Sequence, residues 1–353
     1  MASLRIRVSL LFFIFIFSST IAFAQEKVSS TNTFTQGKTI FDDLPAHMSV
    51  LLEWGQRPEW SNDGEWIYFL PRAFSNVFRV QVETGKVEPV TTHYFHEGYL
   101  RVMALSNGDL LLAGPDEFNA DDPWASRHKL RLSILQKPFD EPPVLLDAYC
   151  DEGPAVSRND NRIAWTLPGQ REIKIAEIIY RDGTPSLVNE QMLLSFDKRN
   201  YPITDRLETQ DFHPNTNELI FTYYYGTEEE PFYFANPYSI DIKSGELSGI
   251  LTTKNSYNEA EGVAPDGSFL LVESDLHAEP KKWLVDTYLL PLQDDGEMER
   301  LCDWTNYPGY KCDNPVVSPD GKKIALQRGF TDGTGQGSGI VLFDLEEYRK
   351  LKK

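Results

Sequence analysis

Asn314-Pro-Val-Val-Ser-Pro-Asp-Gly-Lys-Lys-Ile-Ala-Leu-Gln327 places two short apolar runs on either side of a Ser-Pro-Asp-Gly turn. Pro319 fixes φ, Asp320 favours an Asx-type turn and Gly321 accepts positive φ, so the stretch reads strand, tight turn, strand. Weaker copies recur: Arg57-Pro-Glu-Trp-Ser-Asn-Asp-Gly-Glu-Trp-Ile-Tyr-Phe69 is the plainest, and others occupy 102–113, 153–165, 209–221 and 261–272. The residues aligned with the motif serine are Ser61, Ser106, Ser157, His213, Ala264 and Ser318, separated by 45, 51, 56, 51 and 54 positions. Most copies continue into a third strand with a Thr-Gly or Ser-Gly turn, as in Val77–Gly85 and Tyr238–Gly245. A fourth short strand then ends near Val90-Thr-Thr92 or Leu251-Thr-Thr253. Repeats of this length, each a small sheet, point to radial repetition. The expected fold class is all-β, a six-bladed β-propeller with four-stranded antiparallel blades.

The pattern Pro-x-Trp-Ser-x-Asp-Gly at 58–64, Ile-x-Phe at 67–69, Thr84-Gly85 and Val90-Thr91 resembles the WD40-like repeats of the TolB-like propeller family. The resemblance runs over roughly residues 55 to 348, almost all of the chain beyond its leader. It implies architecture far more strongly than activity. Relatives in that family range over non-catalytic exported proteins, propeller domains of prolyl peptidases and oligogalacturonate lyases. The middle blades depart from the pattern: Ser106-Asn-Gly lacks the proline, and Phe212-His-Pro-Asn-Thr-Asn lacks the glycine.

Residues 1–24 read as a cleavable signal peptide, with Arg5 and Arg7, an apolar run over 10–21, and Ala22-Phe-Ala24 as the cleavage site. The apolar run is short for a membrane span, so the expected localisation is secreted or periplasmic, without membrane insertion. Loss of residues 1–24 removes two arginines and no acids, moving the formal charge from −19 to −21. Such a surface repels phosphates, which argues against a nucleic-acid partner. Of the three cysteines, Cys302 and Cys312 flank one inter-blade loop, and an oxidising compartment makes a disulfide between them the expectation. Cys150 is then left over as a buried thiol.

Residues 25–45 are polar and read as a flexible leader, followed by a single propeller domain over 46–353. The last repeat supplies three strands, ending in Ile340–Leu345, so the run 46–54 is the candidate fourth strand that closes the ring.

In a propeller the innermost strand of each blade begins beside the central channel. The residues just before each repeat motif therefore converge at one face: Gln56 and Arg57, Glu97 and Arg101, Asp151 and Glu152, Glu208 and Gln210, Glu259 and Glu261, Asp313 and Asn314. Such a ring suits a cation, a cationic ligand or sugar hydroxyls; the alternative is that its groups bond to neighbouring backbone and channel water. His93-Tyr-Phe-His96-Glu97 offers two imidazoles and a carboxylate for a divalent metal ion, although it is not the His-Glu-x-x-His zinc signature. Aromatic loops, with Tyr224 and Trp304 foremost, add surfaces on which sugars stack.

Nucleophilic catalysis finds no support, since there is no Gly-x-Ser-x-Gly elbow. The functional expectation is an exported module binding a small molecule, an oligosaccharide or another exported protein through Arg57, Arg101, Glu152, Glu208, Gln210, Tyr224, Glu259, Glu261, Trp304, Asp313 and Asn314. The alternative is a lyase-like carbohydrate-active enzyme using His93, His96 and Glu97 with a metal.

Overall fold

A computed structural model describes residues 38–196, 205–226, 234–279, 284–293, 296–332 and 335–352. Six four-stranded antiparallel sheets follow one another along the chain. Their innermost strands are Gln56–Trp60, Arg101–Ala104, Pro154–Val156, Arg206–Phe212, Asn258–Val263 and Tyr310–Val317, defining blades one to six. The chain is thus an all-β six-bladed propeller.

The repeat motif owes its regularity to one hydrogen-bonded turn. In blade six the Ser318 hydroxyl donates to Asp320 at 2.7 Å and accepts the Lys323 N–H at 2.9 Å, while Asp320 accepts the Lys322 N–H. Gly321 closes the turn at φ 73°. Blade one repeats the arrangement with Ser61, Asp63 and Gly64. Where the motif decays, other side chains hold the turn: Asn107 Oδ1 accepts from Asp109, the counterpart of the Lys322 N–H, and His213 Nδ1 accepts from Asn215. Turn asparagines also tie blades together. Asn62 donates to Leu105 O, Asn159 to Pro214 O and Asn215 to Asp266 O, each in the following blade.

Ring closure runs through Met48–Leu52, which pairs antiparallel with Ile340–Asp344 as the outermost strand of blade six. Its two ends enter different inter-blade cores. Met48 joins Phe269, Leu271, Ile324 and Phe343 between blades five and six, and Leu52 joins Ile67, Phe69, Ala325 and Leu342 between blades six and one. One strand therefore seals both faces of the last blade.

The proposed signal peptide and residues 25–37 of the leader fall outside the described residues. The rest of the leader departs from expectation: Ile40–Asp42 is a 3-10 turn with Ile40 buried, and Phe41 and Leu44 pack beside it. Burial of these apolar side chains holds residues 40–44 on the blade. The acidic insert 228–230 and Trp283 also lie outside the described residues.

The Cys302–Cys312 disulfide expected from sequence is not formed; all three cysteines are buried free thiols. Thr287 contacts both sulfurs, its N–H donating to Cys302 Sγ and its hydroxyl lying 3.2 Å from Cys312 Sγ. Burial raises both thiols above their usual range.

Candidate functional site

A basin of about 740 Å³ opens at the start of the innermost strands. Every blade contributes: Arg57 from blade one, Arg101 from two, Glu152 from three, Glu208 and Tyr224 from four, Glu259 and Glu261 from five, Asp313 and Asn314 from six. A smaller recess of about 70 Å³ continues below Arg57, Arg101, Glu208 and Asn314, and Gln210 lines this recess rather than the basin.

The backbone is bent to aim these side chains inward. Among the described residues nine non-glycine residues have positive φ, and five of them, Arg57, Phe74, Glu152, Gln170 and Asn314, line the basin. Register shifts interrupt the innermost strands of blades one, four, five and six at 56–59, 209–211, 260–262 and 313–316. Bulges re-aim side chains, and left-handed non-glycine residues cost of order 1–3 kcal/mol each. Such strained residues cluster at functional sites in general, which makes this cavity the candidate.

On the blade-one and blade-two side, Arg57 and Arg101 both donate to Asn314 Oδ1, at 3.4 and 3.1 Å. Arg101 also approaches Glu208 at 3.5 Å, and Arg127 pairs with Glu152. Burial, reinforced by Arg101 and Arg127, lowers the Arg57 guanidinium to about 9. Burial would raise Glu152, but Arg127, Arg57 and Arg101 outweigh it and hold its carboxyl below the usual value.

On the opposite side carboxyls crowd together. Tyr224 lies 3.0 Å from Glu208 Oε2 and 2.5 Å from Glu259 Oε1. One hydroxyl proton serves one acceptor, so the second contact requires a proton on a carboxyl. Glu208 fits that requirement, because burial and then Glu152 and Glu259 raise it well above the usual carboxylate range. Tyr257 donates to the other oxygen of Glu259. Glu273 is raised to about 7 by burial and by Glu259, and Glu261 is also raised. Lys311 stays charged, since Asp313 and Glu273 more than offset its burial. Donor oxygens of Glu259, Glu261 and Glu273 all lie within 4.8 Å of one another, a spacing able to hold a metal ion.

The ring expected from sequence was mostly acidic. Around the basin, six arginine and lysine side chains face seven aspartates and glutamates, because Arg72, Arg127, Arg206 and Lys311 join the residues read from the motifs. Lys311, Tyr257 and Arg206 sit two residues before Asp313, Glu259 and Glu208, so strand alternation was the signal for them. Glu273 is the cross-strand partner of Glu259. Trp124 and Arg127 come from the short helix Pro123–Arg127, in the long connection within blade two. Trp124 is 58% exposed, and Arg127 lies 4.9 Å over its ring.

Other expected site residues lie elsewhere. Trp304 is 2% exposed and packs among Cys302, Cys312 and Phe343 between blades five and six, where its indole fills a core. His93 is exposed against Tyr94. His96 is turned inward: Nε2 contacts Asn76 Oδ1 at 2.9 Å and Thr91 O at 3.2 Å, and Nδ1 accepts the Gly98 N–H. Both its nitrogens are occupied and burial lowers its pKa, so the His93–His96 pair does not present a metal site. Glu97 contacts the Phe118 N–H at 3.4 Å, outside the basin lining.

No family model matches the chain, and no curated protein matches it. Many solved structures do. TolB from Acinetobacter baumannii is 16% identical at a TM-score of 0.46, over 78% of this chain and 64% of that one. An oligogalacturonate lyase in complex with manganese is 16% identical at 0.47, over 83% and 77%. Kuenenia stuttgartiensis hydrazine synthase is 16% identical at 0.48, over 90% and 82%. The six-bladed propeller rests on the sheet order of this chain itself. At these identities the likeness is one of fold alone. Among the described residues no helix is long and apolar enough to cross a membrane.

Proposed function

We propose that this chain is an exported binding module that takes a small polar ligand, such as an oligosaccharide, in the basin at the channel entrance. The observation behind this reading is the gathering of five left-handed non-glycine residues and a near-balanced set of buried charges on one cavity. Strain and buried charge are tolerated together where a ligand repays them. The basin's volume matches small-molecule sites, and Trp124 at its rim offers a stacking face. A panel of glycans and small polar metabolites, read by tryptophan fluorescence, tests the reading. Ligands that bind Glu208→Gln and Trp124→Ala chains as tightly as wild type would move the site elsewhere and refute it.

The second reading is a lyase-like carbohydrate-active enzyme assisted by a divalent metal. Its donors would be Glu259, Glu261 and Glu273, whose oxygens lie within 4.8 Å of one another, rather than the histidines. A metal held there would polarise a substrate oxygen. Stoichiometric metal by elemental analysis, lost in Glu273→Gln, together with unsaturated sugar products, favours this reading; a metal-free, inactive protein removes it.

A further inference from the structure

We propose that Arg57, Arg101 and Arg127 form an oxyanion subsite, binding a carboxylate or phosphate group of the basin's ligand. The inference rests on the binding-module reading and names the chemistry its ligand must carry.

Arg127 is paired with Glu152, whereas Arg57 and Arg101 are matched less well. Arg57 and Arg101 each direct a donor at one neutral amide oxygen, Asn314 Oδ1. Two guanidiniums converging on an uncharged acceptor repel each other, and Glu152 and Glu208 offset that repulsion only in part. Arg57 Nε and Arg101 Nε are buried with no hydrogen-bond partner among the described residues. A buried donor left unmade costs the full desolvation of the group, and more when the group is charged. Glu152 is the carboxylate on this side, and Arg127 engages it. Arg101 has Glu208 only at 3.5 Å, and Tyr224 competes for that carboxyl. The depression of the Arg57 guanidinium, caused by burial and by its arginine neighbours, agrees with this geometry.

Construction of the site supports the same conclusion. Arg57 is held at φ 53°, with its N–H donated to Gln327 Oε1 at 2.7 Å. Arg101 passes over Gly153, where an added Cβ would come within 2.9 Å of its Nε. The chain therefore keeps a glycine and a left-handed arginine in order to bring two guanidiniums together. Guanidiniums present planar donor forks that match carboxylate and phosphate oxygens. An oxyanion placed among them would supply both the missing acceptor and the missing charge.

The test uses the full chain, with inorganic phosphate and succinate as probes and sodium chloride at matched ionic strength as control. Thermal melts should show saturable stabilisation by at least one probe beyond the chloride control. Which probe acts identifies phosphate or carboxylate as the group recognised. Arg57→Gln should weaken that affinity by about 10- to 100-fold, the range for a charged hydrogen bond. Arg79→Gln, which removes an arginine paired with Glu88 outside the basin, should leave it unchanged. Should Arg57→Gln fail to fold, Gly153→Ala displaces Arg101 instead and should weaken binding similarly. Indifference to both anions, or equal affinity in the cavity variants, overturns the subsite. A neutral sugar that binds wild type and is weakened by Trp124→Ala, in a protein blind to both anions, would overturn the subsite while leaving the binding module standing.

Discussion

Deleting the closing strand should cost the propeller most of its stability. A chain begun at residue 53 loses Ile40, Met48 and Leu52, which are 2%, 8% and 8% exposed in the complete fold. At about 1.5–3 kcal/mol for each buried side chain of this size, the loss is roughly 5–9 kcal/mol, an upper figure because denatured chains already bury some surface. Total stabilities run at about 5–15 kcal/mol, so a deletion of this size removes a large share or all of it. The deletion also bares the pairing edge of Ile340–Asp344, with Ile340, Val341, Leu342 and Phe343 along it. An open apolar edge of that kind invites chain-to-chain pairing. Urea unfolding of chains begun at residues 38 and 53, followed by tryptophan fluorescence and size-exclusion chromatography, measures the effect. The shorter chain should be unfolded or aggregated, and Leu52→Ala in the longer one should lose about 2–5 kcal/mol. An unchanged urea midpoint in the shorter chain would refute ring closure by this strand as a stabilising device.

Three further outcomes follow from individual groups. Burial raises Glu59 to about 7, so the folded state holds a proton that the unfolded chain releases near its ordinary value of 4.5. The Glu59 contribution is therefore full below pH 4.5 and is lost as pH rises through 7; Glu59→Gln should raise stability at pH 8 and leave pH 4 nearly unchanged, by denaturant titration at both. A pH-independent effect of the substitution would contradict that sign. Denatured protein should titrate three thiols per chain with a colorimetric reagent, whereas one thiol would mean that the Cys302–Cys312 bridge forms after all. Trp124→Ala should shift stability by no more than about 0.5 kcal/mol, being a surface change, while weakening a stacked ligand by up to about 10-fold. A large stability loss would show the indole to be structural instead.

The blades were legible because their signal is local and repeated six times. Ser318, Asp320 and Gly321 act within one turn, and what they do there depends on no distant residue. The convergence of Arg57, Arg101, Glu152, Glu208, Glu259, Glu261, Asp313 and Asn314 was equally readable, because it follows from where each innermost strand starts. Residues outside that frame failed for physical reasons. Trp304 lies in an aromatic loop, and no local pattern tells a loop indole that caps a core from one that faces solvent. His96 was expected to offer its imidazole to a metal beside His93, but Gly98 at φ 94° lies so close to Phe74 that an added Cβ would overlap its backbone. That packing accompanies the inward turn of the ring. Arg127 lies in a connection without repeat periodicity, and its arrival over Glu152 depends on the long loop of blade two.

Charge illustrates the same limit. Sequence totals describe the surface field, and a formal charge of −21 after residue 24 argues against anionic ligands at long range. Inside the basin the balance is different, because three arginines are desolvated beside one another while Glu208, Glu261 and Glu273 are pushed toward their neutral forms. Burial acts in opposite directions on the net charge of the two sides. On the arginine side the guanidiniums stay cationic even where depressed, since about 9 for Arg57 still lies above neutral pH. On the acid side, protonation removes negative charge that the sequence total counts. The local field is therefore more positive than the composition implies, and an acidic protein can carry a cationic floor at the centre of its own ring.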